Sequence, residues 1–105
     1  MTVKILRRPR AALDAESIAD HIAQESLQTA LRFLENAELT IKALATLPGS
    51  GTRLDTALPE LANLRFRRVQ GFPNHVIFFI EHGNAIEIVR ILHGAQDLDA
   101  ELSET

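Results

Sequence analysis

The side chains whose types and spacing could do chemistry lie mostly in the last third of the chain. Arg65, Arg67 and Arg90 are cations able to hold a phosphate, and Glu87 with His93 could supply a general base and acid. If residues 85–92 form a strand, Glu87 and His93 share one face and Arg90 lies on the other, because strand side chains alternate. Six residues of strand also separate Glu87 from His93 by roughly 20 Å at about 3.3 Å per residue. These two can meet on one substrate only if the chain bends sharply after Leu92. Simpler roles compete: Arg90, inside a mostly apolar strand, suits a carboxylate partner, and Arg65 and Arg67 suit the solvated side of an edge strand.

Other chemistries find less support. His21, His75 and His82 share no spacing that suits a metal, so neither a metal nor a cofactor is expected. No Gly-x-Ser-x-Gly is present, and Gly49-Ser50-Gly51 closes a helix where a phosphate loop would open one. Phe72, Phe78 and Phe79 are core or rim residues before they are a stacking platform for bases.

The elements that carry these residues can be read from periodicity. Leu64–Val69 alternates apolar and basic side chains, 76–81 is a compact apolar run, and 85–92 is rich in Ile and Val. His82-Gly83-Asn84 signals a tight hairpin, and Gly71 and Pro73 interrupt pairing between the first two strands. An antiparallel meander follows. Upstream, residues 3–7 read as a short strand closed by Pro9. Ala11, Ala15, Ile18 and Ile22 stripe a first helix, and Ser26 caps a second whose apolar face is Ala30, Phe33, Leu34, Ala37, Ile41 and Leu44. So short a connection makes the helices an antiparallel hairpin. Residues 52–62 have no clean period and read as a packed loop, with Leu54, Leu58 and Leu61 over a sheet edge.

The expected fold is therefore α+β in two layers: an N-terminal strand, then an antiparallel two-helix hairpin packed on one face of an antiparallel sheet. At 105 residues the chain is expected to be one domain spanning 1–105. The hairpin covers one face only, so the other face, apolar and bearing arginine, is expected to await a partner. Arg65, Arg67, Arg68, Phe72, Val89 and Ile91 are the candidates for that contact.

Charge and composition limit the function classes. The net charge is -3, with basic residues gathered near Lys4–Arg10 and at Arg65, Arg67 and Arg68, and an acidic tail after Asp97. Direct nucleic-acid binding is not expected from this balance. The absence of cysteine fits a reducing cytoplasm, and no apolar run is long enough to span a bilayer.

Several local sequences, in order, resemble the RelE/ParE family of bacterial type II toxins. Ile18-Ala19-Asp20-His21-Ile22-Ala23 resembles its first helix and Ala30-Leu31-Arg32-Phe33-Leu34 its second. Leu58-Pro59-Glu60-Leu61, Arg68-Val69, Gly71-Phe72-Pro73 and the ending Arg90-Ile91-Leu92-His93-Gly94-Ala95-Gln96-Asp97 are most similar to the ParE branch. The resemblance implies a cytoplasmic growth-inhibiting toxin, neutralised by a cognate antitoxin and acting on DNA gyrase without catalysis. A RelE-like member would instead cut mRNA in the ribosome, with Arg65, Arg67, Arg90 and His93 as its catalytic residues; having no Tyr, the chain cannot use a tyrosine base. An inactive toxin-like interaction module is the third option. His21, where the family usually has Tyr, and Asn74-His75, where an aromatic often follows Gly-Phe-Pro, depart from the pattern.

Overall fold

The computed structural model describes residues 2–56, 58–94 and 96–103. Strand β1 (Lys4–Arg7) leads into helices α1 (Pro9–Ala23) and α2 (Leu27–Thr46). A 3-10 turn at Pro48–Ser50 follows, then β2 (Thr52–Arg53), a second 3-10 turn at Pro59–Leu61, β3 (Leu64–Val69), β4 (Phe72–His82), β5 (Ala85–His93) and a last helix α3 (Leu98–Leu102). The five strands form one sheet in the order β1-β5-β4-β3-β2. The meander is antiparallel, whereas β1 joins β5 in parallel at the edge.

Local chemistry explains the punctuation. Pro9 begins α1 where its missing N–H costs nothing, and the Ser26 hydroxyl accepts the Thr29 N–H at 3.1 Å to cap α2. Gly83 takes a positive φ of 55° at the first central position of the two-residue hairpin between β4 and β5. Gly71, at φ 77°, does the same service between β3 and β4. That turn is clipped to α2: the Thr40 hydroxyl accepts the Gln70 N–H at 3.0 Å, and Asn36 Nδ2 donates to the Gln70 carbonyl at 2.9 Å. Residues 70–74 were expected to interrupt pairing for longer, but β4 already starts at Phe72, opposite Val69.

The hairpin packs as expected on one face. Phe33, Ala37, Ile41 and Leu44 of α2 meet Ile77, Phe79, Ile86, Ile88 and Ile91 of the sheet, with Ala11 and Ala19 of α1 alongside. The opposite face departs from expectation. A second buried cluster there joins Leu61, Leu64, Phe78, Ile80, Val89 and Leu92 to Leu102 of α3, with Leu54, Leu58 and Leu98 at its margin. The chain's own tail and the loop before β3 thus cover a face expected to be bare. Leu98 and Leu102 lie one helical turn apart, so both reach the sheet.

A register shift changes the expected parity of β5. Phe78 pairs with Arg90 but Phe79 pairs with Ile88, so Val89 is an extra residue in β5. Ile86, Ile88 and Ile91 consequently all face the hairpin, whereas Val89 and Leu92 face α3. The alternation read from the sequence holds through Val89 and reverses beyond it.

Candidate functional site

Arg90 is where the candidate residues have to be judged first. It is 2% exposed, and its guanidinium is engaged on every side. Nε donates to Asp14 Oδ2 at 2.7 Å and one terminal nitrogen to Asp14 Oδ1 at 2.9 Å. The other terminal nitrogen donates to the Glu101 carbonyl at 2.6 Å, and a longer contact of 3.3 Å reaches the Glu101 carboxylate. The Asp14 pairing, ahead of the opposing cost of burial, holds the Arg90 pKa above its ordinary value. Arg90 is a permanently charged brace between α1, β5 and α3.

Asp14 does more than neutralise it. The β1 register ends at Arg7 opposite Ile88, so beyond that point β5 lacks a strand on this side among the described residues. Asp14 Oδ2 accepts the Ile91 N–H there at 2.9 Å, doing for one amide what a neighbouring strand would have done. Periodicity places Asp14 off the apolar stripe of α1 and suggests no role for it. The available signal was Arg90 itself, since a buried guanidinium demands a carboxylate.

Glu87 and His93, expected on one face, lie on opposite faces because the register shift falls between them. Glu87 opposes Ile80 of the α3-side cluster, receives Arg8 Nε at 2.9 Å and lies 3.0 Å from His82 Nε2. The Arg8 hydrogen bond, most of all, holds its pKa below the ordinary value. His93 lies on the hairpin side, in a cleft with Ser17, Ile18, His21 and His75. No shared substrate could touch both Glu87 and His93.

The arginines of β3 divide as well. Arg65 and Arg67 oppose Phe79 and Ile77 on the hairpin side, where Arg65 donates to the Gly51 carbonyl at 3.0 Å and Arg67 to Ser50 Oγ at 3.0 Å. Arg68, exposed, borders a shallow groove on the other face with Leu54, Phe66, Val76, Phe78, Gly94 and Leu98. The structure therefore does not gather Arg65, Arg67 and Arg68 into one patch. Phe72 is half-buried, edge-on to Phe33 at 5.3 Å with Arg32 over its ring at 5.9 Å. Val89 and Ile91, expected to face a partner, are 0% and 4% exposed and lie in the two different clusters. Their apolarity belongs to the core.

Among the described residues no three ligating side chains converge to hold a metal ion, and no helix is long and apolar enough to cross a membrane.

Comparison with known proteins agrees with this geometry. Residues 5–98 match the sequence profile of the family described as "ParE toxin of type II toxin-antitoxin system, parDE". Among solved structures, a chain described as "Chromosomal ParDE TA system from P. aeruginosa" superposes with a TM-score of 0.70 at 20% identity, covering 88% of this chain and 96% of that one. At that identity the likeness concerns the fold. No curated protein sequence gives a significant match.

Proposed function

The chain belongs to the ParE family of toxins from type II toxin-antitoxin systems, and we propose that it arrests growth by binding DNA gyrase in the cytoplasm, without catalysis, until a cognate antitoxin neutralises it. The observation that carries the non-catalytic part is the confinement of Arg90. A centre that cleaves phosphodiesters needs a cation aimed at the charge that develops in the transition state. Arg90 instead has all three guanidinium nitrogens committed to Asp14 and Glu101. Glu87 is held by Arg8 and lies across the sheet from His93, so these two do not form an acid-base pair beside a free Arg90.

For the antitoxin, the reading combines charge with an apolar groove. Acidic groups meet Arg68 beside the groove of Leu54, Phe66, Val76 and Phe78, which apolar anchors enter, while Arg65, Arg67 and Phe72 offer further contacts on the hairpin side. Co-purification with a small protein encoded beside this chain tests the partnership. Arg68→Glu should weaken that complex, and an unchanged affinity would remove the electrostatic part of the proposal.

The RelE-type alternative is separable by experiment. With programmed ribosomes, a ParE-type inhibitor leaves the mRNA intact. Codon-positioned cuts that vanish in His93→Ala would establish an endoribonuclease instead. Unhindered growth on expression of folded protein without antitoxin would favour the inactive module.

A further inference from the structure

At the end of the sheet far from the Gly83 hairpin, three imidazoles that the proposed function does not use line one cleft. His75 of β4 pairs across the sheet with His93 of β5, ring centroids 5.2 Å apart at 84°. Its other neighbours are Phe33 of α2 at 5.2 Å and Phe72 at 6.4 Å. His21, Ser17 and Ile18 of α1 complete the cleft. Among the described residues no carboxylate lines it. The His75 Nδ1 is buried and has no hydrogen-bond partner.

Protonation of this cluster is costly for reasons visible in the geometry. A neutral imidazole with its proton on Nε2 leaves Nδ1 a bare acceptor, which is tolerable in apolar surroundings. The imidazolium carries an N–H on both nitrogens, so a charged donor would be buried with nothing to accept it. The charged and titratable neighbours make matters worse. His93 on β5 and His21 on α1 are bases, and on α2 Arg32 lies over the adjacent Phe72. The carboxylates of α1 lie elsewhere: Glu16 and Asp20 share one surface depression with His21, and Glu25 another. Beyond β5, the neutral Gln96 side chain accepts the His93 backbone N–H at 2.7 Å. Burial first, then His93, then His21, holds the His75 pKa below its ordinary value of 6.5.

We propose that His75, set among His93, His21 and Phe33, is an acid-sensitive joint: neutral, it packs the ends of β4 and β5 against the helix hairpin, and charged, it forces that junction apart. The direction of the effect is fixed by linkage. Above about pH 6.5 His75 is neutral in both folded and unfolded chains, and its packing contributes in full. Below that pH the unfolded chain takes up the proton first, so stability falls until the lower folded pKa is reached. Carboxylates, with ordinary values near 4, enter the titration only later.

The test compares urea unfolding of the natural chain and of His75→Gln between pH 7.5 and 5.5. Within the window, the unfolding constant of the natural chain should rise relative to the variant by up to about tenfold per pH unit, the limit for one proton. Coincident pH profiles would overturn the proposal. NMR titration of the His75 ring in the natural chain decides the question even if the variant does not fold. A midpoint below 6.5 supports the joint, and one at or above 6.5 overturns it.

Discussion

Asp14 and Arg90 stand 76 positions apart in the chain, yet their side chains meet through two hydrogen bonds of 2.7 and 2.9 Å just past the end of β1, where β5 would otherwise lack an edge partner. One carboxylate satisfies both a buried guanidinium and the Ile91 amide. Removing one partner of such a pair leaves the other charged and stranded, at a cost of about 3–5 kcal/mol. Arg90→Ala should therefore lose about that much stability in urea unfolding. Asp14→Ala combined with Arg90→Ala should cost less than the two single losses added together. A loss below about 1 kcal/mol for Arg90→Ala would show that the brace contributes little.

Gly51 is required by space. A Cβ built there would lie 2.3 Å from the Phe79 ring, inside the hairpin-side core, whereas one on Gly49 meets nothing within 4 Å. Gly51→Ala is expected to destabilise by about 1–3 kcal/mol, the usual range for forcing extra volume into a packed core. Gly49→Ala serves as the near-neutral control. Thermal unfolding of the two variants side by side makes the comparison, and equal midpoints would contradict it.

Much of this architecture is legible in the amino-acid sequence. The apolar and basic alternation of Leu64–Val69 matches β3 to the residue, and Ser26 caps α2 as its hydroxyl suggests. The covering of the second face is hidden because residues after Asp97 read as a charged tail, in which the Leu98 and Leu102 pair is too short to show a period. The faces of β5 beyond Val89 are hidden for a different reason. A period of two carries no mark of an inserted residue, so Val89 reverses every assignment after it without altering the composition. The site inherits that error: alternation puts Glu87 and His93 together and offers Ile91 to a partner, and the structure does neither. The convergence of His21, His75 and His93 is invisible in the sequence because it depends on α1 crossing the strand ends.

The hydroxyl of Thr40 holds the β3–β4 turn to α2, accepting the Gln70 N–H at 3.0 Å while donating to the Asn36 carbonyl at 2.8 Å. Thr40→Val keeps the volume but leaves the Gln70 amide without that acceptor. The expected loss is about 1–3 kcal/mol. Hydrogen exchange at the Gln70 amide should quicken in the variant, and unchanged protection would show that another acceptor substitutes.

Glu87 supplies a pH dependence of the same sign as that of His75, in a lower pH window. Its folded pKa lies below the ordinary 4.5, chiefly through the Arg8 hydrogen bond, so its contribution is complete above about pH 4.5 and is lost as pH falls through the lower folded value. Glu87→Gln should flatten this part of the acid limb below about pH 4.5, in urea titrations against the natural chain. An acid limb identical to the natural one would mean that the Arg8 pairing adds nothing.

Inhibition of gyrase by binding is tested most directly by titrating purified, folded protein into a supercoiling reaction. Supercoiling should fall as protein is added and return when the antitoxin is supplied in excess. Undiminished supercoiling at saturating protein would contradict gyrase as the target.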